Sequence, residues 1–150
     1  FSKSKENKWL STFNRGEPFE YNNYTFPTVE HAFHSQKLDE NNEKREQYIE
    51  KFTDPEIEPN EIKKMGGRKY FEENDYKLRG DWNSIRLKIM EDITMNYYAA
   101  NPEFLEKLIK TGDKQLIHTG FRIDDFWGVK KGEGENHHGK ILMKVREELQ

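Results

Sequence analysis

The chain predicts an α+β fold: a single compact domain over residues 1–150, predominantly helical, with a few short strands. Three observations predict it. A length of 150 residues suits one domain and suffices to bury a proper core. Only 33% of residues are hydrophobic and 35% are charged, but ten Phe, seven Tyr and three Trp bring large buried area per residue. That argues against disorder and for a core built on aromatics. Finally, apolar residues recur at helical spacing along several segments, while the alternation of a strand is brief.

Taken in order, Trp9, Leu10 and Phe13 precede the Gly16–Pro18 break, and alternation at Phe19–Tyr21 with Asn22–Asn23 predicts a short hairpin. Pro27 holds Phe26 extended, and Thr28 is a plausible N-cap for a helix to about Leu38. The charged stretch Asp39–Lys51 offers Tyr48, Ile49 and Phe52 as inward anchors. Asp54–Asn60, with Pro55 and Pro59, reads as a loop, and Glu61–Met65 as a short helix stopped by Gly66–Gly67. Asp81 is expected to cap a helix from Trp82 to about Ala100, with Ile85, Ile89, Ile93 and Tyr97 every four residues and Met90 alongside. Asn101–Pro102 opens the next helix, which presents Phe104, Leu105, Leu108 and Ile109 and ends at Gly112. Leu116–Ile117 and Phe126–Val129 read as short strands or extended segments. After the glycine-rich loop Gly132–Gly139, the last helix buries Ile141, Leu142, Val145 and Leu149.

Composition narrows the function classes. A formal charge of −3 gives no global pull toward nucleic acid, so phosphate contacts must come from a local patch. With no cysteine there is no disulfide and no thiolate chemistry. An intracellular home, cytoplasmic or nuclear, is the expectation, and the start at Phe1 leaves room for a trimmed targeting segment. No apolar run reaches membrane-spanning length, so no membrane contact is expected. Five histidines include His31/His34 and His137/His138, but no zinc-binding spacing, so no metal is expected.

Four segments carry polar residues that a core does not need. In Pro27–Lys37, Glu30, His34 and Lys37 share one helical face, and Glu30 lies at the positive end of the helix dipole, which favours its ionised form. On spacing alone a solvated salt-bridge face is the favoured reading. Lys63–Lys69 places a basic cluster around Gly66–Gly67, suited either to a phosphate or to a helix C-terminus. It is not a Walker loop. Arg79-Gly80-Asp81-Trp82 is accounted for by a cap and a core tryptophan. Asp124-Asp125-Phe126-Trp127-Gly128, leading into a loop with Asn136, suits stacking on a base or an aromatic-stabilised turn.

The order of motifs is more specific than any one of them. LSTF at Leu10–Phe13, PTVEHAFHSQK, IKKMGGRK at Ile62–Lys69, RGDW, TGDKQLI at Thr111–Ile117, DDFWG, GEGENHHG and ILMKVREEL together resemble the NADAR family of YbiA-like proteins. The resemblance runs from about Phe1 to Leu149. It implies a YbiA-like α+β fold and a hydrolase acting on N-glycosyl bonds. It further implies ADP-ribosylated guanine in nucleic acid, or a nucleotide-like ribosylamino-pyrimidine of riboflavin biosynthesis, as substrate. The register of the loop before DDFWG and the GGRK element lean toward ADP-ribosylated guanine in DNA. No cofactor and no obligate protein partner are implied.

By resemblance the catalytic residues are Glu30, Lys63 and Asp124. The substrate-binding residues are His31, Lys37, Arg68, Asp81, Trp82, Phe126, Trp127, Gly128, Asn136 and Gly139. Glu30 would face the ribose carbon, and Asp124 would hold or protonate the leaving group or orient water. Lys63, or Lys37 in its place, would supply an amine for a Schiff-base route. Trp82 and Trp127 would stack on a base, and Arg68 and the glycine loop would meet phosphate. The chain departs from the family pattern at Thr12 (Asn is usual), His34 (Gln) and Ile62 (Ala). His118, Gly120 and Arg122 replace Glu, Asn and Trp, which bears on base specificity. Those last changes are also the best support for a rival reading, a module that binds ADP-ribose or NAD without cleaving it.

Overall fold

A computed structural model describes residues 6–119 and 124–150. Gly120 and Arg122 lie outside the described residues. In chain order the elements are a 3-10 turn at Lys8–Leu10, β1 Phe19–Tyr21, β2 Tyr24–Phe26, α1 Val29–Ser35, α2 Arg45–Lys51, α3 Pro59–Met65 and α4 Arg68–Glu73. Then come α5 Trp82–Ala100, α6 Pro102–Lys110 and α7 His137–Glu148. The expected α+β architecture, helical in the main, is what forms.

The two strands make an antiparallel hairpin with Phe19 opposite Phe26 and Tyr21 opposite Tyr24. Its turn needs two left-handed residues, and Asn22 (φ 49°) and Asn23 (φ 70°) supply them, asparagine being the side chain that best tolerates that region. Immediately after the hairpin, Thr28 caps α1: its hydroxyl accepts from the His31 amide at 3.2 Å. Such a cap is worth about 1 kcal/mol.

α5 is the axis of the molecule and packs against α1, α6, α7 and β1. Its buried face (Ile89, Met90, Ile93, Tyr97, Tyr98) is the four-residue repeat extended to neighbouring positions. α7 closes on it with Ile141, Leu142 and Val145. A second aromatic cluster sits under α2 and α4, where Tyr48 meets Phe52 at 4.9 Å and Phe71 and Tyr76 at 5.7 Å. No helix among the described residues is long and apolar enough to cross a membrane.

Several local expectations are corrected. α1 ends at Ser35 rather than Leu38, because the chain there turns to pair: Leu38 bridges Leu78, and the amides of Asp39 and Arg79 donate to Lys77 and Lys37 carbonyls at 2.9 Å. Asp81 precedes α5 but its carboxylate makes no cap bond, since Arg79 Nε takes it at 2.7 Å. Asn101 precedes α6 yet turns its amide to Glu17 and the Tyr97 carbonyl. α3 begins at Pro59, inside the segment read as loop, and Arg68–Glu73 continues as a separate helix. Leu116–Ile117 is extended without a strand partner among the described residues, and Phe126–Gly128 is a turn.

Candidate active site

A cleft of about 1030 Å³ is bounded by three pieces of the chain. One wall is mostly helical, with Glu30, Phe33 and His34 from α1, Lys37 just past its C-cap and Lys63 from α3. The facing wall is largely irregular, carrying His118, Asp124 and Trp127, with His138 added from the first turn of α7. The segment from Lys8 to Arg15 completes the enclosure.

Helix geometry explains the first wall. Glu30 and His34 are one turn apart on one side of α1, and Lys37 follows just past the C-cap Gln36, its amide donating to the His34 carbonyl. The Thr12 hydroxyl donates to Glu30 Oε1 at 2.9 Å, and His34 Nε2 meets Glu30 Oε2 at 2.8 Å. The Glu30 side chain is only 18% exposed. Burial alone would raise its pKa; the His34 ring, the Thr12 hydroxyl and the nearby Lys37 outweigh it and bring the carboxyl down to about 2. Glu30 is therefore an ionised, doubly held carboxylate at neutral pH.

Lys37 is the other unusual group. Its ammonium donates to the Gly66 carbonyl at 3.0 Å and lies 5.8 Å from the Trp82 ring centroid and 6.0 Å from that of Phe33. Burial lowers its pKa to about 8, with Glu30 opposing that shift. Lys63 lines the same cleft but is exposed, its ammonium 5.5 Å from the Phe13 ring centroid. The aromatic lining is a chain of contacts: Phe33 packs on Trp82 at 5.0 Å and edge-on to Trp127 at 5.5 Å.

The irregular wall is held by backbone clamps. Asn136 accepts the His118 amide at 2.8 Å and donates to the Leu116 carbonyl at 2.9 Å, while the Val129 amide donates to His118 O at 2.8 Å. Gly139 is required here, since any Cβ would collide with the Leu116 carbonyl and the Asn136 amide. Asp124 Oδ1 accepts from both Phe126 and Trp127 amides, at 3.0 and 2.7 Å, so it fixes the turn that sets Trp127 against Phe33. The His118 and His138 rings meet edge to face at 4.9 Å. Burial, with His138 next in effect, pushes His118 down to about 3, and burial pushes His138 down to about 4. Both rings are neutral at pH 7.

A NADAR domain model matches residues 1–150. The chain belongs to the NADAR family. An N-glycosidase of Nostoc punctiforme is 38% identical over 74 residues, 49% of this chain and 47% of that protein. A riboflavin biosynthesis protein of Vibrio vulnificus is 41% identical over 73 residues, 48% of this chain and 20% of that one. The chain thus spans less than half the length of these two relatives. The N-glycosidase YbiA of Escherichia coli is 30% identical over 135 residues, covering 88% of this chain and 76% of YbiA. The NMR structure of YbiA superposes with a TM-score of 0.77 at 28% identity, covering 99% of this chain and 82% of that one. The NADAR fold is therefore present throughout.

Of the expected catalytic and substrate-binding residues, Glu30, Lys37, Lys63, Asp124 and Trp127 come together in the cleft. The others do not line it. His31 is buried beneath α1: it accepts from the Thr28 hydroxyl at 2.6 Å, donates to the Ile57 carbonyl at 3.1 Å, and is driven to about 4 by burial. Arg68 is 92% exposed and pairs with Glu72. Asp81 is bound to Arg79, which also reaches Glu40. Trp82 is buried behind Phe33. Phe126 stacks under the Arg86 guanidinium at 3.6 Å. Gly128, Asn136 and Gly139 build the irregular wall rather than face the cleft.

Thr12, Phe33, His118 and His138 are cleft residues that were not among the expected site residues. His34 was legible as the i+4 neighbour of Glu30. Thr12 was not, because nothing local ties it to a carboxylate eighteen residues on.

Proposed function

We propose that this NADAR protein hydrolyses the N-glycosidic bond of a phosphate-bearing ribosyl substrate, foremost ADP-ribose joined to guanine in nucleic acid. The observation that carries the reading is Glu30, an ionised carboxylate held from two sides in an aromatic cleft. Cleaving a ribosyl C–N bond puts positive charge on the anomeric carbon, and such a carboxylate stabilises that charge. Lys8, Arg15 and Lys63 on the lining supply cations for phosphates. The names of the relatives support the reaction class. A volume of about 1030 Å³ suits a dinucleotide-sized substrate better than a mononucleotide.

Two routes use these groups. In the first, Glu30 stabilises the oxocarbenium-like carbon and takes a proton from the attacking water, while the departing base nitrogen gains a proton. In the second, the neutral Lys37 amine attacks the anomeric carbon. The C–N bonding pair then leaves with the base, the ribose opens to a Schiff base, and water returns the amine and free sugar. At pH 7 about a tenth of Lys37 is neutral given its pKa of about 8, an advantage over the exposed Lys63. Asp124, with Oδ1 committed to the turn, acts chiefly by placing Trp127 for stacking on the base.

A second reading is favoured by the Vibrio relative's name: cleavage of a ribosylamino-pyrimidine phosphate. Incubation with an oligonucleotide carrying ADP-ribosylated guanine, and separately with that phosphate, followed by mass spectrometry, tests both. Release of ADP-ribose and unmodified guanine is expected. Release from the pyrimidine substrate alone selects the second reading. Calorimetric binding of ADP-ribose without release from either would leave a binding module.

A further inference from the structure

Glu30 is useful only if its carboxylate stays fixed when a substrate displaces water from the cleft. Three features converge on its neighbour His34. The ring is 13% exposed and brings Nε2 to Glu30 Oε2 at 2.8 Å. Its other nitrogen, Nδ1, is buried with no hydrogen-bond partner among the described residues. Finally, the ring lies against the backbone of Gly66, where any Cβ would collide with Nδ1 and Cγ, although Gly66 has an ordinary φ of −91°. The glycine is thus needed for room, not for backbone conformation. The surroundings are braced as well: the Tyr48 hydroxyl lies 3.2 Å from both the His34 and Met65 carbonyls, tying α1 to the end of α3.

We infer that His34, seated on Gly66, is a positioning residue that holds the Glu30 carboxylate by donating from Nε2. The unpartnered Nδ1 is what assigns the proton to Nε2: a proton on Nδ1 is buried without an acceptor, and one on Nε2 has Glu30. The diglycine of IKKMGGRK then has a mechanical purpose. Gly66 admits the His34 ring on one side and offers its carbonyl to Lys37 on the other, so one residue aligns both charged groups of the helical wall. Only the catalytic consequence rests on the N-glycosidase reading; the geometric role does not.

The test uses His34→Ala, His34→Gln and Gly66→Ala. The glutamine amide reaches Glu30 with an N–H but has no second ring nitrogen, so it retains the donor alone. Protein carrying ¹³C-carboxyl glutamate is titrated by NMR, with Glu30→Gln identifying the resonance. Glu30 should remain ionised down to pH 4 in the native protein and in His34→Gln, and should titrate at least one pH unit higher than native in His34→Ala and Gly66→Ala. Release of base should fall at least tenfold in kcat, with KM within about twofold, for His34→Ala and Gly66→Ala. His34→Gln should recover most of that loss. Thermal melts identify variants that have merely unfolded, and His34→Gln remains decisive if His34→Ala does not fold. An unmoved Glu30 titration in His34→Ala, or a His34→Gln no better than His34→Ala in either readout, overturns the assignment. Absence of turnover in native protein with the NMR shifts as expected overturns the proposed function alone.

Discussion

The two walls of the cleft are built in opposite ways. On the helical wall, functional groups come from α1, the residues just past its end and α3, and are charged: Glu30 ionised, Lys37 desolvated, Lys63 at the rim. On the irregular wall, no repeat places anything. His118 and Trp127 are set by side chains that grip backbone, Asn136 for the first and Asp124 for the second. The imidazoles there are neutral, kept so mainly by burial. The contrast assigns the walls different parts: a charged side for the anomeric carbon, and for a departing base a side of neutral imidazoles and an aromatic ring, where the one Asp124 carboxylate holds the turn.

If the helical wall does the chemistry, Lys37→Ala should show the largest effect. We expect a loss of about 10²–10⁴-fold in turnover and no adduct trapped by borohydride, while Lys63→Ala lowers affinity more than rate. Equal losses in the two variants, or trapping that survives Lys37→Ala, breaks the asymmetry between them. The native rate should also rise with pH up to about 8, where Lys37 becomes neutral, and show no acid limb from Glu30 above about pH 4.

The irregular wall is tested by Asn136→Ala, which leaves the His118 amide and the Leu116 carbonyl without their partner. A destabilisation of about 2–3 kcal/mol, or about 5–10 °C in Tm, is expected, measurable by calorimetry. The Glu30 titration should shift little, since among the described residues the Asn136 hydrogen bonds run to residues 116, 118, 128 and 140 and not to α1.

Both walls contribute to acid sensitivity, but in different windows. His118, His138 and the underlying His31 have folded pKa values lowered from 6.5, so the unfolded chain binds more protons as pH falls. Their stability contribution is present above pH 6.5 and lost between about 6.5 and about 4, reaching about 3 for His118. Glu30, lowered from 4.5, loses its contribution only between about 4.5 and 2, at most about 3 kcal/mol. Urea midpoints should therefore fall from pH 7 to pH 5 without help from Glu30, and a flat profile over that interval would contradict the neutral imidazoles. The smallest effect belongs to Arg68→Ala, on the outer face of α4: its exposed pair with Glu72 should cost less than about 0.5 kcal/mol, and activity should stay within twofold.

This contrast also explains what could be read from the sequence. α1, α5 and α7 were legible because periodicity and caps are local, and so was the shared face of Glu30, His34 and Lys37. The roles of Asp81 and Asn136 were not. Asp81 has a cap's position but is taken by Arg79, and Asn136 begins α7 without capping it, reaching back to residues 116–118 instead. Trp82, read from the residues as a core tryptophan, is indeed enclosed behind Phe33, so of the two stackers the resemblance implied only Trp127 lines the cleft. Gly66–Gly67 read either as a phosphate turn or as a helix C-terminus; Gly66 is the C-cap of α3, but the neighbour that needs it to be glycine, His34, is thirty-two residues away in sequence. Long-range clamps and close approaches leave no periodic trace.

The central claim is that the carboxylate held by Thr12 and His34 drives release of the base. The direct measurement is kcat for release of ADP-ribose from an oligonucleotide carrying ADP-ribosylated guanine, by native protein and by Glu30→Gln, which keeps the shape and removes the charge. A loss of about 10³-fold with ADP-ribose binding retained is the predicted result. Turnover by Glu30→Gln within a few-fold of native would contradict it.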